Sequence, residues 1–172
     1  MKIVVINGAP RVGKDTFVEL CQKHILWCGN ISTVGFVKEV AKFCGWNGEK
    51  TPENRAFLSN LKDLLTQWAD VPYRQVQREI ALKVAECDCQ DFSTEDLVIF
   101  VHCREPEEIA RFVADYNAIT LFISRPDVEG ASASNHADAE VANFDYDYTI
   151  VNDGTIRQLE YKAIDFIHDI MH

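Results

Sequence analysis

The sequence is poor in positive charge and has no long apolar run. Its 172 residues include 17 Lys and Arg against 27 Asp and Glu, so that the formal net charge is -10 at pH 7. A surface of this sign repels nucleic-acid backbones and anionic lipid, and neither is an expected partner. No stretch approaches the roughly 20 apolar residues that span a membrane. A phosphate-rich small ligand would therefore need a local cluster of cations and backbone N–H groups.

Signals for export and for metal binding are also missing. The first apolar run covers residues 2–6, which is too short for a signal peptide, and no small-residue cleavage site follows it. The six cysteines lie mostly within apolar segments, which favours reduced thiols and a cytoplasmic protein. Cys87 and Cys89 invite a metal interpretation, but without a second Cys or His pair at ligand spacing ordinary thiols are the better one.

Four short apolar runs rich in β-branched residues predict strands that are buried on both faces of a parallel sheet. They cover residues 2–6, 97–101, 118–123 and 148–151. Helical patterns lie between them, and strands that alternate with helices imply right-handed βαβ units. The sequence therefore predicts an α/β fold with helices on both faces of a central parallel sheet. In such folds ligands bind at the carboxyl ends of the strands.

The stretch between the first two predicted strands contains helical patterns, of which one is well marked. Thr51 is expected as its N-cap, with Pro52 in the first turn. Its apolar residues recur at helical spacing and are Phe57, Leu58, Leu61, Leu64, Leu65 and Trp68. A second helix follows a break at residues 70–72, and a final one opens after residues 152–155. We expect a single domain over residues 1–172, with a core of about 1–36 and 96–172 and a helical substrate-binding region of about 37–95.

Residues 8–14 read GAPRVGK and satisfy the pattern G-x-x-x-x-G-K. The pattern stands directly after a predicted strand and before a predicted helix, which is the context that it requires. Gly8 and Gly13 let the backbone curl so that consecutive N–H groups face a β-phosphate, and Lys14 reaches the β- and γ-phosphates. A chance glycine turn is the alternative, but it does not account for the lysine at this place. The pattern therefore predicts a P-loop that binds ATP.

The residue that follows the P-loop lysine departs from the general pattern. Asp15 stands where Ser or Thr is usual, and the hydroxyl comes one place later, at Thr16. This Gly-Lys-x-Thr order resembles the adenylate-kinase-like nucleoside monophosphate kinases, and the resemblance implies that Thr16 lies near Mg²⁺. Asp15 is interpreted as an acid favoured by the helix dipole, or as a metal ligand acting through water. Thr16 and Asp15 together form the predicted metal site.

Beyond the P-loop, the sequence resembles the deoxynucleoside monophosphate kinase family of bacteriophages and some bacteria. The resemblance is carried by residues 13–16, 36–41, 45–46, 55–58, 104–109 and 147–154, together with His136-x-x-x-Glu140. It implies a three-layer α/β/α P-loop NTPase fold with a helical substrate-binding insertion. It also implies an enzyme that uses ATP and Mg²⁺ to phosphorylate a (deoxy)nucleoside monophosphate. The partners would be small-molecule nucleotides, and a homodimer is compatible with the resemblance.

The same resemblance implies roles for particular residues. Lys38, Arg55 and Arg104 are the expected ligands of the acceptor phosphate, and Arg125 would close on the γ-phosphate from a lid at 126–135. The predicted catalytic residues are Lys14, Arg104 and Arg125. The predicted ATP-binding residues are Gly8, Arg11, Gly13, Lys14, Asp15, Thr16, Asn152 and Gly154. Lys62, two turns after Arg55, is a further candidate. The alternatives are surface charges for the cations and a helix-capping turn for residues 152–154.

His102 is the main departure from that family. The family has an acid two residues before the arginine that corresponds to Arg104, and a neutral imidazole cannot order Mg²⁺-bound water in its place. Either Asp15 or Glu105 takes this part, or catalysis is impaired. A histidine in an apolar strand is also typical of a hydrogen-bonded core residue.

Two other functions stay open on the sequence alone. One is a P-loop kinase of another small metabolite, and the other is a nucleotide-binding module with impaired catalysis. A GTPase switch is disfavoured, because residues 127–130 match D-x-x-G but no N-K-x-D follows.

Overall fold

The computed structural model describes residues 1–126 and 144–172. Within them, a sheet of five parallel strands has the order β2-β3-β1-β4-β5. The strands are β1 (Lys2–Asn7), β2 (Trp27–Ser32), β3 (Leu97–His102), β4 (Ile119–Ser124) and β5 (Tyr148–Val151). The four strands predicted from apolar runs are confirmed. The apolar runs do not predict β2, because Gly29 and Asn30 interrupt it and it lies at an edge of the described sheet.

Six helices are described in these two ranges. They are α1 (Lys14–Gln22), α2 (Gly35–Phe43), α3 (Pro52–Ala69), α4 (Val71–Asp88), α5 (Pro106–Tyr116) and α6 (Ile156–Met171), with a short 3-10 helix at Thr94–Asp96. The Thr51 hydroxyl accepts a hydrogen bond from the Asn54 N–H at 3.2 Å and so caps α3. Thr155 and Gln158 form a reciprocal capping box at the start of α6. Asp70, with φ of 53°, separates α3 from α4, so the predicted break is confirmed.

Helices cover both faces of the sheet. On one face α1 and α6 pack on the central strands, through Phe17, Leu20, Leu159 and Phe166 against Val4 and Phe100. On the other face α4 and α5 pack through Val76, Ile80, Ile109 and Phe112 against Val5 and Ile99. Because each strand alternates its side chains between the two faces, one run of apolar residues supplies both cores. The predicted three-layer α/β/α fold is confirmed.

The helix α3 is placed as its sequence predicts, but its apolar residues do not enter the core. Leu64 and Trp68 are 63% and 81% exposed, whereas Lys62 is buried with 7% exposed. The reason is that α3 packs mainly against α2 and α4, which separate it from the sheet. The spacing of apolar residues thus predicts the helix but not the side chain that it buries.

Every described element from α2 to α4 is a helix. Its last helix, α4, also packs on β2 and β3. The division of the chain into a core and a substrate-binding region stays a prediction. None of the described helices has the length and apolar character needed to cross a membrane.

Candidate active site

The loop between β1 and α1 has the backbone of a tight anion-binding turn. Gly8, Arg11 and Gly13 have positive φ angles of 141°, 66° and 98°. A Cβ atom on Gly8 would lie 2.2 Å from the carbonyl oxygen of Ile123, and one on Gly13 would lie 2.6 Å from Asn152 Nδ2. Only glycine fits both the conformation and the space at these two positions. The curled loop predicted from the sequence is therefore present.

The side chain of Lys14 bends back over this loop. Its Nζ donates hydrogen bonds to the carbonyl oxygens of Gly8 at 2.6 Å and Ala9 at 2.8 Å. No side chain caps α1, whose N-cap is Gly13. The first-turn N–H groups, the positive end of the helix dipole and the ammonium group thus meet at one place. This arrangement suits a polyphosphate.

The start of the loop is held by Asn7, a residue that the motif did not single out. Asn7 is fully buried, and its Oδ1 accepts a hydrogen bond from the Gly8 N–H at 2.7 Å. Its Nδ2 donates to the carbonyl oxygen of Arg104 at 3.2 Å and to the hydroxyl of Tyr146 at 3.0 Å. Asn7 therefore ties the loop to the segment that follows β3. The sequence offered one signal for this role of Asn7, which is a polar residue at the end of an apolar strand.

The far end of the loop is held by Asn152, which we predicted to bind ATP. Its Nδ2 donates to the carbonyl oxygen of Val12 at 2.8 Å, and its N–H donates to the carbonyl oxygen of Ser124 at 2.7 Å. The side chain is buried. Asn152 thus supports the loop from behind. A role for Gly154 at the nucleotide stays a prediction, as does that of Arg11, which is exposed in the loop.

Two of the predicted acceptor ligands, Lys38 and Arg104, lie close enough to repel each other. Lys38 is on the surface of α2, yet partial desolvation lowers the pKa of its ammonium group. The charges of Lys50 and Arg104 lower this pKa further, while Asp15 opposes them. Like charges held together in a chain of net charge -10 mark a local positive region. An anionic group is the natural ligand of such a region.

His102 lies beside this positive region, at the carboxyl end of β3. It is in register with Ile6 of β1 and Ser32 of β2. Its buried Nε2 makes no hydrogen bond to the described residues and lies 3.8 Å from Asp15 Oδ1. Burial lowers the pKa of the imidazole, and the charge of Asp15 only partly offsets this effect. The side chain is therefore neutral near pH 7, and its Nε2 is buried beside Asp15.

The same side chain connects the P-loop with the predicted acceptor ligands. Besides Asp15, the charges that act on His102 are those of Lys14, Lys38 and Arg104, and all three lower the pKa of the imidazole. The structure therefore brings together four residues predicted from the sequence, one in the P-loop, one in α1, one in α2 and one after β3.

Other predicted site residues lie elsewhere in the fold or outside the described residues. Arg55 is exposed in the first turn of α3. Arg125 is half-buried directly after β4. The predicted lid at 126–135 and the pair His136 and Glu140 lie outside the described residues, except for Pro126. The roles of Arg55, Arg125 and the lid stay predictions.

Lys62 and Glu105 are placed differently from the two sequence interpretations that named them. The Nζ of Lys62 lies 2.7 Å from Glu105 Oε1 and 2.9 Å from Glu108 Oε2. Burial alone would lower the pKa of Lys62, but the two carboxylates outweigh burial and raise it. Lys62 is thus paired with both Glu105 and Glu108, at the start of α5. Asp15, rather than Glu105, is the carboxylate that faces His102.

The residues at the start of α1 provide oxygen ligands for a metal ion. Asp15 has its side chain 88% exposed, and Thr16 follows it in the first turn. Mg²⁺ commonly takes one or two protein oxygens together with waters and phosphate oxygens, so this pair fits Mg²⁺ bound with a nucleotide. The described part of the chain contains no group of three or more His, Cys, Asp or Glu side chains arranged to hold a metal ion by itself.

No protein-family model matches the chain, and no curated protein matches it. Solved structures of similar fold include two kinases. Dephospho-CoA kinase from Campylobacter jejuni superposes with a TM-score of 0.53 and 12% identity, over 99% of this chain and 98% of that chain. Shikimate kinase from Aquifex aeolicus vf5 superposes with a TM-score of 0.50 and 12% identity, over 96% of each chain. Together with the β1–loop–α1 geometry, these matches show that the chain has the three-layer α/β/α fold of P-loop kinases.

Proposed function

We propose that the chain is an ATP-dependent phosphotransferase that converts a (deoxy)nucleoside monophosphate to the diphosphate. The observation that carries the proposal is the position of Lys14, whose ammonium group lies over the curled loop at the uncapped start of α1. The loop and Lys14 would bind the β- and γ-phosphates of ATP. The positive region at Lys38 and Arg104 would bind the phosphate of the acceptor.

Transfer to an existing phosphate needs positioning and charge neutralisation more than proton transfer. The attacking oxygen of a monophosphate is already anionic near neutral pH, so no strong general base is required. What opposes the reaction is the repulsion between two anionic substrates. Lys14 would neutralise the transferring group, while Lys38 and Arg104 would hold the acceptor in line with it.

Mg²⁺ bound with ATP would neutralise further phosphate charge and fix the geometry of the triphosphate. Thr16 and Asp15 are the residues that would hold it, the hydroxyl directly and the carboxylate through water. His102 is a poor ligand for this ion, because Mg²⁺ prefers oxygen. The chain thus has Asp15 near this ion, and it lacks the acid that the resembling family has at the position of His102.

The nature of the acceptor rests on two arguments. The positive charges of Lys38 and Arg104 argue for a phosphorylated acceptor, because an anionic group is the ligand that such charges favour. The nucleoside part rests on the resemblance of residues 13–16, 36–41 and 55–58 to deoxynucleoside monophosphate kinases.

A second candidate function is phosphorylation of a hydroxyl group on another small metabolite. The observation that favours it is the neutral imidazole of His102, which lies at the carboxyl end of β3 with its Nε2 3.8 Å from Asp15 Oδ1. A hydroxyl acceptor must lose a proton, and a neutral imidazole is a suitable base. The two kinases of similar fold are named for acceptors other than nucleoside monophosphates, namely dephospho-CoA and shikimate.

One screen separates these functions. The purified chain would be incubated with ATP and Mg²⁺ and with each of a panel of ribo- and deoxynucleoside monophosphates, shikimate and dephospho-CoA, and ADP release and product mass would be measured. The proposal expects a nucleoside diphosphate from at least one monophosphate. Product from a hydroxyl acceptor alone would favour the second candidate, and nucleotide binding without any product would favour an impaired binding module.

Lys14→Ala is the matching test of the site. We expect it to reduce transfer by about 100-fold or more, because the main cation on the transferring group is lost. Lys23→Ala is the control, since Lys23 directly follows α1 and pairs only at the surface with Glu160. Circular dichroism would check that both variants are folded. Full activity of Lys14→Ala would contradict the proposed role of the loop.

A further inference from the structure

A stripe of large apolar side chains is exposed along α3. Phe57, Leu64 and Trp68 have 39%, 63% and 81% of their surface exposed, and the half-buried Leu61 lies between them. The four positions are separated by four, three and four residues, so they follow one side of the helix. Lys62, the buried residue of α3, is on the other side and holds the helix to α5. We call these four apolar residues the α3 stripe.

The α3 stripe is large enough to be an interaction surface. A large apolar side chain has about 200 Å² of surface, so the exposed parts of the stripe amount to about 400 Å². A patch of this size is near the largest that monomeric proteins expose, and such patches are often functional. Asn60 and Gln67 are exposed beside the stripe and uncharged, so a second helix can pack there without burying their charge.

The two ends of the α3 stripe carry opposite charges. Glu53 lies one turn before Phe57 on the same side of the helix, and it is exposed. At the other end, directly after Trp68, an open groove of about 380 Å³ is lined by Ala69, Val71, Arg74, Gln75 and Arg78. Arg74 and Arg78 are exposed one turn apart on α4, and neither forms an ion pair with the described residues. A carboxylate is the ligand that two such guanidinium groups favour.

The α3 stripe is complementary to itself when two helices run antiparallel. Its four-three-four spacing is the same in both directions, so an antiparallel second copy would place Phe57 against Trp68 and Leu61 against Leu64. This arrangement has twofold symmetry, so each contact occurs twice. Glu53 of each copy would then lie beyond Trp68 of the other, beside the groove of the two arginines. A parallel pair would instead bring like charges together at both ends.

We propose that the α3 stripe is the interface of a homodimer in which the α3 helices of two copies pack antiparallel, with Glu53 of each copy paired with Arg74 and Arg78 of the other. Two copies would bury about 800 Å² of apolar surface in all, which with the charged ends is at the low end of specific interfaces, so the dimer is a weak one. The inference does not depend on the proposed function, because none of these residues belongs to the candidate active site.

Sedimentation velocity from about 1 to 200 µM measures the association of the purified chain, and we expect a dissociation constant of about 10 µM. Leu64→Glu should weaken association by about 20-fold or more, because its carboxylate would be buried against the stripe of the other copy. Leu26→Glu is the matched control, since Leu26 is 70% exposed between α1 and β2 and should leave association unchanged. Circular dichroism would check that both variants are folded.

Charge reversal tests the antiparallel arrangement. In a dimer of Glu53→Lys the new ammonium group would face two arginines, and in a dimer of Arg74→Glu/Arg78→Glu the groove would face Glu53 with negative charge. Either variant alone should therefore associate about 10-fold more weakly than the wild type. An equimolar mixture of the two variants has opposite charges at both ends of the mixed dimer, so it should associate about as tightly as the wild type.

Three results would overturn the inference. The first is a wild type that stays monomeric at about 200 µM, which would leave the stripe to a different protein. The second is a folded Leu64→Glu variant that associates as the wild type does. The third is a mixture of the two charge variants that associates no more tightly than either variant alone, since the ends of the stripe would then not meet in the dimer.

Discussion

Three polar side chains lie at the carboxyl ends of strands in the candidate site, and two of them have a clear structural role. Asn7 ends β1 and Asn152 follows β5, and both are buried with their amide groups bound to the backbone of the P-loop. His102 ends β3, but its Nε2 makes no hydrogen bond to the described residues and faces Asp15. Buried polar groups that serve structure are normally hydrogen-bonded. His102 is therefore the residue at which the site departs from a purely structural explanation.

We predict that His102→Asp lowers the Mg²⁺ concentration that the activity requires. A carboxylate at 102 would lie near Asp15 and Thr16 and could orient the waters of a nucleotide-bound ion. We expect the Mg²⁺ concentration for half-maximal activity to fall by about 10-fold, as measured by initial rates over a Mg²⁺ series.

His102→Asn is the control for that measurement, because it changes the size of the side chain similarly without adding charge. The Mg²⁺ concentration for half-maximal activity is compared between the two variants. If it is the same in His102→Asp and His102→Asn, the ion does not lie near Asp15.

The unit formed by β1, the P-loop and α1 depends on an element distant in sequence. The end of β5 reaches the loop through Asn152, whose Nδ2 donates to the Val12 carbonyl oxygen across 140 positions of the chain. The same Nδ2 occupies the space that a side chain at Gly13 would need. The loop is thus shaped both by its own glycines and by the turn between β5 and α6.

We therefore predict that Asn152→Ala destabilises the protein and weakens nucleotide binding together. The Val12 carbonyl oxygen would be left buried without this donor, which costs about 1–3 kcal/mol in the free energy of unfolding. Urea unfolding and titration with ATP measure the two effects. Asp153→Ala is the neighbouring control; Asp153 is exposed and pairs with Lys162 at the surface, so we expect a smaller loss of stability than in Asn152→Ala and unchanged ATP affinity.

Helices and strands whose signals are local could be predicted from the sequence, and those that depend on distant partners could not. The cap at Thr51, the start of α6 after Thr155 and the glycines of the P-loop depend on signals within a few residues, and all of them are found as expected. The edge strand β2 lacks a continuous apolar run and is stabilised by pairing with β3, about 70 residues away along the chain.

The residues of the candidate site also differ in whether a local sequence pattern predicts them. The P-loop lysine is predictable because its motif is contiguous. The partners of Lys62, 43 and 46 residues away, are not, because charge alone does not identify the contact. The proximity of Lys38 to Arg104 follows from the resemblance to a family and not from any local pattern.

At the scale of the whole molecule, the order of the strands explains how an acidic chain forms an anion site. β1 lies between β3 and β4, so the P-loop that follows β1 opens beside the segment after β3. Ligands of open α/β sheets bind at such carboxyl ends. The fold thus places the P-loop with Lys14 beside the segment that carries Arg104, in a chain whose net charge is -10.

The central claim is that the loop at residues 8–14 surrounds the phosphates of ATP. The most direct test is amide NMR of the ¹⁵N-labelled chain titrated with ATP and Mg²⁺. The account predicts that the largest shifts occur in the N–H groups of residues 8–16 and that Lys14→Ala greatly reduces them. Largest shifts elsewhere in the chain, or no shifts at saturating ATP, would contradict it.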